Sequence, residues 1–326
     1  MVQPIMGDLP SDRVEPSRAF KISGVDFWGP VMLKSSLRKN APLKKAYVSV
    51  FVCFSTKAVH IELVNGLSTQ DFIQALQRFV ARRGKISVIY SDNGTNFHGT
   101  DRQLKEVYEL FHSEAHKKEL FEHFTNERIE WKFIPPRSPH FGGLWESAVK
   151  SMKGLIKRIL GESHLTFDEM YTVLTRAEAC LNSRPLTPLS SCPTDLTVLT
   201  PGHFLIGEAL TTLPERDVSD TPSNRLDRWR RVNKFSQQIW KRWSSEYLSQ
   251  LQTRYKWAKE KGPKLSVGSV VLIKEENLSP LFWRLGRVVS VICGKDGVIR
   301  TARVKTAFGE YLRAVRNLSP LPIEID

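Results

Sequence analysis

No apolar run in the 326-residue chain approaches the roughly 20 residues that span a bilayer, so no helical membrane segment is expected. The first residues, Met1-Val2-Gln3-Pro4, have neither a basic n-region nor an apolar h-region and do not read as a signal peptide. Cysteine is sparse. Cys53, Cys180, Cys192 and Cys293 are scattered with no Cys-x-x-Cys, which speaks against a disulfide framework or a zinc knuckle and for reduced, packed thiols. Acids are also short, at 34 Asp/Glu against 48 Lys/Arg, and the shortage is local. Residues 220–326 hold 21 Lys/Arg and 10 Asp/Glu, while the first 219 hold 27 and 24. A basic C-terminal third behind a nearly neutral body points to a polyanion partner. Nucleic acid fits better than a membrane surface, since no basic amphipathic helix with an exposed apolar face stands out. What is present is otherwise ordinary for a globular chain, with 41% hydrophobic and 25% charged residues and length for two or three domains of about 100–200 residues.

The order of elements defines an expected fold. Residues 1–19 read as an extended lead-in. Phe20–Phe27 predicts a first strand that Pro30 should stop, because proline cannot donate to a ladder. After a polar, basic loop from Lys34 to Lys45, strands are expected over Ala46–Phe54 and Ala58–Val64, joined closely enough for an antiparallel meander. A helix capped by Ser68 or Thr69 runs to about Arg83, and Ile86–Tyr90 returns as a parallel strand. A polar helix near 102–124, a strand over Ile129–Ile134, and helices over 144–160 and 167–182 follow. The order βββαβαβα over residues 20–183 is an α/β class, mixed-sheet, ribonuclease-H-like arrangement. A proline-rich irregular connection (184–225), a basic aromatic helical segment (226–264) and a small C-terminal β-barrel (265–326) complete the expectation. Five of the eight tryptophans lie within 229–283 beside Lys and Arg; Trp229, Trp240 and Trp243, at near-helical spacing, are read as core ahead of base-stacking.

Three acids carry the chemistry candidates. Asp92 ends a β-rich run, at the mouth of a sheet where α/β folds tend to keep their sites, though Asp-Asn-Gly is also an ordinary turn. Asp26 lies mid-strand in Gly24-Val25-Asp26-Phe27-Trp28; such a carboxylate is costly to bury unless paired or metal-bound, and otherwise points to solvent. Glu146 falls in the first turn of its helix, where the helix dipole stabilises it whatever its role. Glu146, Lys150, Lys153 and Lys157 recur on one face, opposite an apolar stripe of Ala148, Met152, Leu155 and Ile159. That row reads either as solvated lysines or as a DNA-contacting face. In the ribonuclease-H-like arrangement the first strand, the fourth strand and this helix meet at one end of the sheet. Three oxygen-only ligands suit Mg²⁺ or Mn²⁺, and two such ions about 3.5–4 Å apart stabilise both reacting oxygens of phosphoryl transfer.

Three stretches in this order resemble the acidic motifs of retroelement integrases: Gly24-Val25-Asp26, Ser91-Asp92-Asn93-Gly94-Thr95-Asn96-Phe97, and Ser138-Pro139-His140-Phe141-Gly142-Gly143-Leu144-Trp145-Glu146-Ser147. Trp145 and the lead-in Met6-Gly7-Asp8-Leu9-Pro10 are similar to the BEL/Pao class of LTR retrotransposons. So is the tail, with Trp240-Lys241-Arg242-Trp243, Glu246-Tyr247-Leu248, Trp257 and Gly268-Ser269-Val270-Val271-Leu272-Ile273. The resemblance implies DNA integration: trimming of an element's double-stranded DNA end, then attack of the freed 3′-hydroxyl on a target phosphodiester. It implies Asp26 and Asp92 bridging two Mg²⁺ or Mn²⁺ ions, Glu146 on the second ion, and Lys150, Lys153 and Lys157 orienting DNA. Arg137 and His140, in the loop before Glu146, are further DNA-contact candidates. A homo-oligomer acting in the nucleus, or carried in a cytoplasmic particle, is implied as well.

Two features depart from the family pattern. No N-terminal His/Cys zinc domain is present, and 53 residues separate Asp92 from Glu146, longer than the typical retroviral spacing. Two rivals remain open. One is a domesticated, catalytically silent DNA- or chromatin-binding protein, against which the intact acid triad speaks. The other is a ribonuclease-H-type nuclease, which leaves the basic tail with less to do. His112 and His116, at i, i+4, make a weaker metal candidate with no third ligand in sight.

Overall fold

The computed structural model describes residues 10–38, 40–91, 118, 129–133, 152–190, 195–252, 265–275, 278–294 and 297–321. The chain divides into two compact units, residues 1–178 and 179–326. In the first, a short helix α1 (Ser11–Val14) precedes β1 (Ile22–Lys34), β2 (Leu43–Cys53) and β3 (Val59–Val64). Next come α2 (Thr69–Arg83), β4 (Val88–Ser91), β5 (Glu130–Phe133), a helix α3 over 152–160, and α4 (Phe167–Asn182), which runs just past the division. The strands form one mixed sheet in the order β3-β2-β1-β4-β5. β1, β2 and β3 are the expected antiparallel meander, and β4 and β5 join in parallel.

Local chemistry explains the crossover helix that returns the chain to the sheet. Ser68 caps α2, its hydroxyl accepting the Asp71 N–H at 3.1 Å while the Asp71 carboxylate accepts the Ser68 N–H at 3.2 Å. Phe72, Ala75, Leu76 and Phe79 form the buried face. Gly84, at a φ of 85°, ends the helix where a side chain would be strained. On α3 the buried stripe is Met152, Leu155 and Ile156, with Ile159 only half-buried, so the apolar face is turned slightly from the one read in the sequence.

Pro30 does not stop the first strand. β1 continues to Lys34, and the β1–β2 register slips between Trp28 and Val31, so the proline sits in a bulge where its missing donor breaks no regular pairing. The helix read near 102–124 lies outside the described residues, apart from residue 118.

The second unit holds a small hairpin, β6 (Thr187–Pro188) with β7 (Val198–Leu199), a short α5 (His203–Ile206) and the long α6 (Arg228–Leu251). The Asp227 side chain caps α6, accepting the Arg230 N–H at 2.7 Å. β8 (Val270–Ile273), β9 (Leu285–Cys293), β10 (Ile299–Thr306), β11 (Gly309–Ala314) and β12 (Leu318–Pro320) form an antiparallel sheet in the order β11-β10-β9-β8-β12. A small barrel was expected here; among the described residues β11 and β12 are open edges and no pairing closes the sheet. β12, three residues long, has no signature in the sequence. Val271 and Ile273 of β8 face one core with Val288, Ala302 and Val304, while Val270 and Leu272 face Leu248 of α6. Cys53 and Cys180 are buried thiols, whereas Cys293 is exposed at the end of β9; Cys192 lies outside the described residues.

Candidate active-site edge of the N-terminal sheet

The parallel pairing of β1 and β4 is the structural centre of the site. Ile22, Ser23, Gly24 and Val25 pair with Val88, Ile89, Tyr90 and Ser91. Ser91, immediately before Asp92 in the chain, therefore lies beside Val25, immediately before Asp26. Asp26 itself is half-buried between fully buried neighbours, and its Oδ1 accepts the N–H of Phe27 at 2.7 Å. That bond turns one carboxylate oxygen back toward its own strand.

The floor beneath this edge is aromatic and closely bonded. Phe27 packs on Phe72 of α2 at 5.6 Å between ring centroids, and Phe72 meets Trp131 of β5 at 5.6 Å. The Trp131 indole N–H donates to the buried Ser91 hydroxyl at 2.8 Å, holding the last described residue of β4 to its neighbour strand. Alongside, the Tyr90 hydroxyl donates to Asp12 at 2.6 Å, and Lys132 Nζ lies 3.4 Å from the same carboxylate. Burial, followed by the Asp12 carboxylate, raises the Tyr90 phenol above its ordinary value, so it stays a donor at neutral pH. Partial burial pulls Lys132 down, but Tyr90, Asp12 and Glu130 outweigh it and leave the ammonium raised. The sequence singled out none of Asp12, Tyr90 or Lys132; only the strand register brings them together.

Of the other candidates, Lys153 and Lys157 are on α3, half-buried and exposed respectively, on a different side from the buried Met152 and Ile156. Asp92, Arg137, His140, Glu146 and Lys150 lie outside the described residues, as do His112 and His116. Among the described residues no group of three or more His, Cys, Asp or Glu could hold a metal ion, and no helix is long and apolar enough to cross a membrane.

A second polar cluster lies under β3 and is better read as structure. His60 and Glu62 are fully buried, 3.0 Å apart from Nε2 to Oε1. The guanidiniums of Arg78 and Arg82 reach Glu62, and Arg83 joins His60 Nδ1 and the Glu178 carboxylate. Glu178 of α4 also accepts the Ile61 N–H at 2.8 Å, tying that helix to β3. Burial holds His60 below the usual histidine value, against the pull of Glu178. Burial opposes ionisation of Glu178, but His60, Arg83 and the Ile61 N–H outweigh it and lower its carboxyl. Every member is satisfied from within, as a buried ionic network requires.

In the C-terminal unit, Trp240 and Trp243 are buried as expected, but Trp229 is 60% exposed. It stands in the first turn of α6, ahead of the buried stretch that begins at Val232. Trp243 stacks on Tyr247 at 5.4 Å, and Trp283 meets Trp240, Trp243 and Tyr247 edge-on. The Tyr247 hydroxyl donates to the Pro185 carbonyl at 2.6 Å, and burial lowers the neighbouring Arg184 to about 10.

A family model described as a family of unknown function, DUF5641, matches residues 227–321, which hold α6 and the C-terminal sheet. No curated protein matches the chain. Among solved structures, a chain of the simian T-cell lymphotropic virus intasome in complex with PP2A regulatory subunit B56 gamma is 15% identical, over 94% of this chain and 81% of that one, with a TM-score of 0.38. The HTLV-2 integrase catalytic core domain in complex with magnesium is 18% identical in its trimeric form, over 58% of this chain and 97% of that one, at a TM-score of 0.35. Its dimeric form is 19% identical, over 51% and 88%, at 0.31. Likenesses this loose carry no argument for the chemistry.

Proposed function

We propose that the chain is a DNA integrase of the retroelement type, a metal-dependent polynucleotidyl transferase that trims an element's DNA end and joins it to target DNA. The observation that carries the reading is the parallel register of β1 and β4. It sets the residue before Asp26 beside the residue before Asp92, in a mixed sheet with the antiparallel meander and parallel return that the element order predicts. Asp26, Asp92 and Glu146 are the catalytic acids of this reading and form an oxygen-only donor set, which fits Mg²⁺ or Mn²⁺ and no softer metal. Two bound ions would supply Lewis-acid stabilisation to the oxygens of the reacting phosphate.

The chain's own residues supply the rest. Asp26 accepts the Phe27 N–H through Oδ1, which orients its carboxylate on β1. Lys150, Lys153 and Lys157 orient the DNA end through phosphate contacts, with Arg137 and His140 beside them. The basic helical segment and the antiparallel C-terminal sheet add further DNA contacts. The active species is a homo-oligomer, since one site does not join two ends at once, and it works in the nucleus. The membership in the BEL/Pao class rests on the sequence motifs.

The test is a strand-transfer assay with Mg²⁺ on Asp92→Asn and Glu146→Gln. Both variants should bind DNA and join none. Full activity in either removes the assignment, and DNA binding without cleavage or joining by the unaltered chain favours a silent binding protein.

A further inference from the structure

Between Phe27 and Ile61 the chain carries Lys34, Arg38, Lys39, Lys44, Lys45 and Lys57, and neither Asp nor Glu. The fold gives this one-signed stretch a shape. β4 ends at Ser91, opposite Val25, and the β2–β3 ladder reaches no further than Tyr47 and Val64. The β1–β2 ladder runs on from Val31 and Ala46 to Lys34 and Leu43. Among the described residues, a two-stranded ribbon therefore extends past the rest of the sheet from the same end that carries Asp26. At about 3.3 Å per residue, Lys34 lies roughly 25 Å along the strand from Asp26.

The ribbon is held in place. The Lys34 N–H donates to the Leu165 carbonyl at 2.9 Å, and Lys34 bridges Thr166 just before α4. Its tip is closed by Ser35 N–H to the Pro42 carbonyl at 3.0 Å and Ala41 N–H to the Arg38 carbonyl at 3.2 Å. Directly paired residues share a face, so Met32, Lys34, Leu43 and Lys45 look one way and Leu33 and Lys44 the other. Arg38, Lys44 and Lys45 are exposed, and a cleft of about 380 Å³ opens between Lys34, Ser35, Lys44, Lys45 and the Thr166–Phe167 start of α4.

We infer that this ribbon is a grip for duplex DNA, with Arg38, Lys44 and Lys45 on phosphates and the DNA running from the ribbon toward the Asp26 edge. A two-stranded ribbon is one of the shapes the major groove admits. The roughly 25 Å from Asp26 to Lys34 matches about seven or eight base pairs at ~3.4 Å each. Ser35 and Ser36 add neutral phosphate donors. That the DNA's reacting end sits at Asp26 rests on the integrase reading; the grip itself does not.

The experiment is anisotropy of a labelled 30-base-pair duplex titrated with the full chain between 50 and 200 mM salt. For the Arg38→Ala/Lys44→Ala/Lys45→Ala variant, the slope of log affinity against log salt should be shallower by ~0.9 for each phosphate no longer neutralised, or roughly 2.7 for the three together. The fourfold rise in salt would then weaken the variant about 40-fold less than the unaltered chain. Lys44→Arg/Lys45→Arg should keep the full slope. Should the triple variant fail to fold, the single Gln substitutions, each at an exposed position, should each lower the slope by ~0.9. An unchanged slope in correctly folded variants overturns the grip, as does a loss confined to binding of phosphatidylserine vesicles. A chain that joins no DNA but shows the shallower slope keeps the grip and removes only the integrase reading; normal joining with an unchanged slope does the reverse.

Discussion

In the N-terminal sheet, β2 from Ala46 to Cys53 and the whole of β3 are buried on both faces. In the C-terminal sheet, β10 alternates instead, with Ala302, Val304 and Thr306 inward and Arg303 and Lys305 exposed. The first pattern belongs to a sheet covered by helices, the second to a sheet with one solvated face. The difference bears on where each can meet a partner. A sheet closed on both faces offers only its ends, where Asp26 lies and where the β1–β2 ribbon emerges. A sheet with an open face offers that face, here lined with cations. The same contrast governs polar groups: the doubly covered sheet must satisfy His60, Glu62 and Glu178 internally, while Arg303 and Lys305 are solvated.

The most damaging change falls on the aromatic cluster of the C-terminal unit. Trp243→Ala removes the ring shared between Tyr247 and Trp283 beneath one face of that sheet. It should destabilise the unit by about 3–5 kcal/mol in urea denaturation followed by fluorescence. A loss under ~1 kcal/mol, well below that range, would show that the aromatic cluster does not hold the covered face.

Next in size is the buried network of the N-terminal sheet. Glu178→Ala leaves the Ile61 N–H and the Arg83 guanidinium without their acceptor and should cost about 3 kcal/mol. The same network sets a pH dependence. His60 in the fold titrates below the ordinary histidine value of 6.5, so between these two values the unfolded chain binds more protons. Its contribution is complete above 6.5 and is lost as pH falls from there toward the folded value. Glu178, lowered from 4.5, adds a second loss of the same sign below that pH. Thermal melts should therefore fall on acidification from pH ~7, and His60→Phe should remove the upper part of that fall. The smallest effect is at the crossover: Ser68→Ala, which deletes the α2 cap, should cost about 1 kcal/mol by chemical denaturation.

Much of the fold was legible because it rests on signals of short range. The α2 cap, the Gly84 stop and the end of α4 at Asn182 are all written in a few adjacent residues. What escaped depends on partners distant in sequence. Pro30 reads as a strand end, yet the β2 partner accommodates it in a bulge. Trp229 fits the periodicity of the α6 core, yet stays 60% exposed in the first turn. β12 is too short for any pattern and exists through its pairing with β8. The site divides the same way. Asp26 was visible as an acid in an apolar strand, while the Asp12–Tyr90–Lys132 group and the projecting ribbon needed the register. The basic loop seen between Lys34 and Lys45 became interpretable only once β1 and β2 were found to outrun the sheet.

In the proposed function, the end of the N-terminal sheet performs DNA joining through its acids. The most direct measurement is strand transfer by the full chain and by Asp26→Asn, with Mg²⁺, on an element-end duplex and plasmid target. Joined product is expected from the unaltered chain, with a loss of ~10³-fold or more in the variant at unchanged DNA affinity. Joining by Asp26→Asn at the unaltered rate would contradict it.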